Sequence, residues 1–117
     1  MRRYDDNELI EFIFEFIDEI NSHISFGGGK ESFFNNVTIK EACLRSLHKI
    51  CETTQKISPQ LKSSTPEIEW LEISGMRNIL VHEYLEGFID DNLVYKVIEE
   101  DLPKLKKSLE KHHTKKK

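Results

Sequence analysis

Leu9, Ile10, Ile13, Phe16, Ile17, Ile20 and Ile24 return at steps of three and four residues across "NELIEFIFEFIDEINSHI", residues 7 to 24. That spacing lays an apolar stripe along one side of an α-helix and would scatter over both faces of a strand. A helix with one oily side has to bury it against another element. Similar periods recur in three later segments, and no stretch of useful length alternates apolar and polar residues as a half-buried strand does. The sequence therefore predicts an all-α fold, an up-and-down four-helix bundle.

Asn7 is the expected N-cap of the first helix, following an acidic pair. Phe12 and Phe14 lie outside its stripe and suggest a second contact surface, such as one for another subunit. "SFGGGKESFFNN" then breaks the pattern and reads as a flexible turn. Its "GGGKES" follows a helix and lacks the spacing of a phosphate-binding loop. Thr38 resembles an N-cap, with Glu41 completing a capping box. The second helix is predicted from about Ile39 to Ile57, with Ala42, Cys43, Leu47, Ile50 and Cys51 inward and Arg45 and His48 nearer its edge.

A polar loop with two prolines, "SPQLKSSTPEIEW", leads to a third helix. It starts near Pro66 to Trp70 and runs to about Tyr84, since proline suits a first turn. The fourth, from about Asp91 to His112, carries Leu93, Val94, Val97, Ile98, Leu102, Leu105 and Leu109 at core spacing. Pro103 should bend or restart it.

A chain of 117 residues suits one domain, read here as residues 1–112 followed by a basic tail at 113–117. Domains of this size bury a modest share of their surface and gain from dimerisation. The start has no apolar signal segment and no run is long enough to span a bilayer, so a cytoplasmic, non-membrane protein is expected. Cys43 and Cys51 lie eight apart on one helix, about 12 Å along its axis, too far for a disulfide. They read as small buried hydrophobes, and no metal site is predicted. Net charge is −4, yet residues 104 to 117 hold seven lysines against one acid, a net +6, which leaves −10 on the rest. So acidic a body is not that of a dedicated duplex-DNA binder, although the basic end can reach a phosphate backbone or an acidic partner.

The third helix carries "GMRNILVHEY", residues 75 to 84, in which an arginine, a histidine and a tyrosine interrupt an oily segment. At about 100° per residue, and with Ile73 as origin, Met76 and Leu80 form the core stripe. Arg77 and Tyr84 border it, two turns apart along one edge. His82 falls opposite the core and Asn78 one turn before it, forming a polar ridge that faces away from the interior.

From Pro66 to about Leu109, "PEIEWLEISGMRNILVHEYLEGFIDDNLVYKVIEEDLPKLKKSL" resembles the HepT family of HEPN-domain toxins. The hallmark R-x(4)-H-x-Y is matched by Arg77, His82 and Tyr84. "EACLRSLHKI" resembles the family's corresponding helix more loosely, and the first helix shares little beyond amphipathicity. The resemblance implies a HEPN-like homodimer: the toxin of a type VII toxin–antitoxin system, and a ribonuclease acting on tRNA or other RNA without a metal or other cofactor. Its two motifs would meet in one cleft between subunits. Arg77 and His82 would be catalytic, with Asn78 auxiliary, to position a phosphate or orient His82. A minimal nucleotidyltransferase antitoxin, resembling MntA, would neutralise the toxin by moving AMP from ATP onto the Tyr84 hydroxyl. The competing reading is a non-catalytic substrate-binding subunit of that nucleotidyltransferase.

Overall fold

The computed structural model describes residues 3–86 and 90–114; the side chains of Val81 and of residues 83–86 lie outside the description. Helix α1 (Asp6–Phe26) opens on a capping box at Asp5, two residues before Asn7. The Asp5 carboxylate accepts from the Glu8 amide at 2.8 Å, and the Glu8 carboxylate accepts from the Asp5 amide at 3.3 Å. Asn7 holds the far end of the chain instead. Its Nδ2 donates to the Thr114 carbonyl at 2.9 Å, and its Oδ1 accepts from the Thr114 amide at 2.7 Å.

Phe12 and Phe14, expected as an outward contact surface, are met by the chain's own ends. The Tyr4 ring packs edge-on to Phe12 at 4.9 Å, and His113 to Phe14 at 5.3 Å.

The glycine run closes α1. Gly28 and Gly29 adopt φ of 101° and 124°, a region costly for any residue with a Cβ. The Gly28 amide donates to the Ser25 carbonyl and the Gly29 amide to the Ile24 carbonyl, the paired bonds of a Schellman motif. The next segment is ordered as a short helix, α2 (Glu31–Asn35), rather than the flexible turn expected. Phe33 is fully buried there, its ring 5.3 Å from that of Tyr95.

Helix α3 (Val37–Thr54) is capped by Asn36, not Thr38: the Asn36 Oδ1 accepts from the amides of Thr38 and Ile39. The proline loop contains another short helix, α4 (Pro59–Ser64), capped by Ser58, whose amide and hydroxyl both donate to the Asp6 carboxylate. Thr65, fully buried, accepts from the Trp70 indole at 3.1 Å. That bond fixes the start of α5 (Trp70–Glu86).

Helices α6 (Asp91–Lys96) and α7 (Leu102–Glu110) are joined by a π-helical turn, Val97–Asp101. Pro103 has no amide hydrogen and its ring crowds the preceding turn. One wider turn, in which the Leu102 amide donates to the Val97 carbonyl, absorbs the proline without ending the helix. Leu93, expected in the core, is 48% exposed, while Val94, Ile98, Leu102, Leu105 and Leu109 are buried.

The fold is all-helical among the described residues, and no helix is long and apolar enough to cross a membrane. One core runs through it, with α1 and α5 against α3 and with α7 returning to α1. Both cysteines are buried in it, and burial pushes the thiol of Cys43 up to about 11 and that of Cys51 to about 12. Ile13 lies at the centre with no exposed surface. Ile13→Ala should cost about 2–5 kcal/mol of stability in urea unfolding. A loss below about 1 kcal/mol would mean that α1 is not packed into the core in this way.

Candidate functional site

Helix α5 rests on α3 through a narrow seam. Leu80 is buried, while Ile73, Met76 and Ile79 are half-buried and Leu71 is 89% exposed. The side of α5 turned toward α6 and α7 borders an open apolar groove of about 620 Å³, lined by Met76 and Ile79 with Leu93, Val97 and Leu102 opposite. Arg77, Asn78 and His82 do not line it.

Asn78 and His82 are both exposed, as the helical phase of α5 requires. Tyr84 belongs to α5 by its backbone, and its side chain lies outside the described residues. Among the described residues, no hydrogen bond or ion pair joins Arg77 to His82 within the chain.

Arg77 meets α3 instead. Its Nε donates to Glu52 Oε1 at 2.6 Å, a charge-assisted bond. His48, one turn before Glu52 on the same helix, places Nε2 3.2 Å from that same oxygen. The His48 nitrogen is sealed from solvent and is not in line for a well-directed hydrogen bond, so this is a close contact around a shared acceptor. At the C-cap just past the end of α3, Gln55 Nε2 donates to Ser74 Oγ of α5 at 3.4 Å. His48, Glu52 and Gln55 thus form a polar edge on α3, with Arg77 at its centre.

Sequence reasoning placed His48 at the edge of its helix but gave Glu52 no role. The i, i+4 spacing of His48 and Glu52 was the available signal. It does not say which residue 25 positions later will arrive between them.

The Arg77 hydrogen bond holds the Glu52 carboxyl below its ordinary 4.5. A slight loss of hydration opposes this, and the charges on Arg77 and His48 assist. A carboxyl depressed by folding contributes stability above its unfolded value and loses it as the pH falls through the lower folded value. Glu52→Gln should therefore melt slightly below the wild type at pH 7, and the gap should narrow as the pH falls below the ordinary carboxyl value. A gap that stayed constant across that range would contradict the ion pair.

Among the described residues, no three histidine, cysteine, aspartate or glutamate side chains gather as a metal cage. Comparison with known proteins places the chain. The family model "Ribonuclease HepT-like" matches residues 10–112. The protein "Putative RNase MJ1380" of Methanocaldococcus jannaschii is 35% identical over 101 residues, covering 85% of this chain and 91% of its own. "Probable ribonuclease HepT" of Thermococcus cleftensis is 34% identical over 97 residues, 83% of each chain. "Putative RNase TTE0752" of Caldanaerobacter subterraneus is 30% identical over 95 residues, 81% of this chain and 80% of its own. No solved structure matches significantly. The resemblance read from Arg77, His82 and Tyr84 is thus borne out across most of the sequence: the chain belongs to the HepT-like ribonuclease family.

Proposed function

We propose that this chain is the toxin of a type VII toxin–antitoxin pair, a metal-independent endoribonuclease that acts on tRNA or another RNA. In this reading the helices form a HEPN-like, up-and-down four-helix bundle that works as a homodimer. The observation that carries the proposal is the intact Arg77, His82 and Tyr84 set on α5, with His82 and Asn78 exposed on the side away from the core. Buried members of a structural cluster would point inward.

The chemistry suits these groups. RNA can be cut by its own 2′-hydroxyl, whose oxygen attacks the adjacent phosphorus as the bond to the 5′-oxygen breaks. A base takes the 2′ proton and an acid supplies one to the departing 5′-oxygen, leaving a 2′,3′-cyclic phosphate and a 5′-hydroxyl. Histidine titrates near neutral pH and can take either part. Two copies of His82 in one dimer cleft would divide the two tasks. Arg77 offers a permanent cation with forked donors to a phosphorane gaining negative charge. Asn78, a turn before His82, is the auxiliary residue, orienting the imidazole or a phosphate.

Tyr84 lies seven residues after Arg77, two turns along the same edge of α5. AMP moved from ATP onto its hydroxyl by a partner nucleotidyltransferase, with the phenolic proton lost and pyrophosphate leaving, would bring a phosphodiester anion to the arginine. The cleft would then be occupied as if by product, which switches the nuclease off.

The unmodified protein should sediment as a dimer and cut RNA in the presence of EDTA. Arg77→Ala and His82→Ala should each lower the cleavage rate by about 10²-fold or more. An inert wild type that still binds a nucleotidyltransferase and accepts AMP at Tyr84 would favour the substrate-binding-subunit reading instead.

A further inference from the structure

We infer that Glu52 is a positioning residue for this site: it braces the Arg77 guanidinium through Nε so that the two terminal nitrogens face the scissile phosphate. The inference rests on the ribonuclease reading and adds a residue from a different helix.

Three observations support it. First, the contact is directed. Arg77 binds through Nε, the nitrogen nearest its stem, at 2.6 Å. Among the described residues the guanidinium makes no other hydrogen bond or ion pair. The Nη1 and Nη2 edge, the forked pair that matches two phosphate oxygens, is left available. A carboxylate meant to neutralise the arginine would take that edge in the bidentate geometry such pairs favour.

Second, the acceptor is crowded. Glu52 Oε1 is approached by Arg77 Nε at 2.6 Å and, in close contact without a directed hydrogen bond, by His48 Nε2 at 3.2 Å. Two nitrogens from two helices converge on one oxygen, which limits the rotamers open to Glu52.

Third, the pair sits at a boundary where freezing a side chain matters. The Arg77 and Glu52 side chains remain 36% and 41% exposed, and a pair so open adds little to stability. An unbraced arginine at such a site keeps rotamer freedom that is lost when it grips a phosphate. Glu52 removes most of that loss in advance, as a preorganised donor requires.

The experiment is steady-state cleavage of a short RNA by wild type, Glu52→Ala and Glu52→Gln, each verified as folded by helical circular dichroism. Glutamine keeps an acceptor for Nε but has no charge. Glu52→Ala should lower kcat about 10- to 100-fold with KM within about threefold, and Glu52→Gln should recover most of the loss. An unchanged or faster Glu52→Ala would overturn the inference, because Glu52 would then be neutral or a lock on Arg77. Glutamine no better than alanine would also overturn it, since charge alone would be at work. In parallel, the Arg77 Nε–H resonance should be shifted and slow to exchange in the wild type, and lost in Glu52→Ala. A wild type inert on RNA sinks the ribonuclease reading separately. The resonance then judges the brace, and a fast-exchanging Nε–H in the wild type would dispose of it.

Discussion

The site depends on α3 being buried along two faces at once. Cys43, Leu47, Ile50 and Cys51 are almost fully enclosed, with α1 against one face of the helix and α5 against another. Between those faces runs one polar edge, with His48, Glu52 and Gln55 at spacings of four and three. Because α3 cannot rotate without exposing buried side chains, this edge is fixed in direction, and α5 is fixed where it touches it. The opposite flank of α5 has no such support. Ile73, Met76 and Ile79 are half-buried and border an apolar groove that the chain leaves open toward α6 and α7. Incompletely covered apolar surface of this kind is what a second subunit would complete in the proposed dimer.

Much of this was legible in the sequence because helical period is a local property. The long helices follow from residues three and four apart, and the exposure of His82 and Asn78 follows from the phase of α5. Both caps were misplaced by two residues, for a physical reason. Asp5 and Asn7, or Asn36 and Thr38, are chemically equivalent choices, and for the first pair the distinction is tertiary: Asn7 is taken by Thr114. Leu93 was misplaced because it was counted with the apolar stripe of the last helix although, at about 100° per residue, Val94, Ile98, Leu102, Leu105 and Leu109 share one arc and Leu93 lies outside it. Glu52 was invisible in a stronger sense. Its partner lies 25 residues away, and the pairing depends on how α3 and α5 cross, which no local pattern encodes.

Charge sets a further condition. Outside residues 104 to 117 the chain carries −10, so an approaching RNA phosphate is repelled by most of the molecule. Attraction has to come from particular places. The lysines of α7 are one, and the fold holds that end down. His113 lies 3.1 Å from Glu11 and against the Phe14 ring, and Thr114 is bound to Asn7. The cations at 104, 106, 107 and 111 therefore keep a set position relative to α1. Lys106 reaches Asp18 at the limit of an ion pair. In the proposed site Arg77 would be the other place, and there the acidic body would turn from hindrance to instrument. A carboxylate that merely cancelled the guanidinium would leave nothing to bind a phosphate. One that takes Nε alone gives up part of the charge to fix the direction of the rest. Screening makes a half-exposed ion pair weak in energy but leaves its geometry intact. In a site meant to recognise a developing charge, direction matters more than the small electrostatic gain given up.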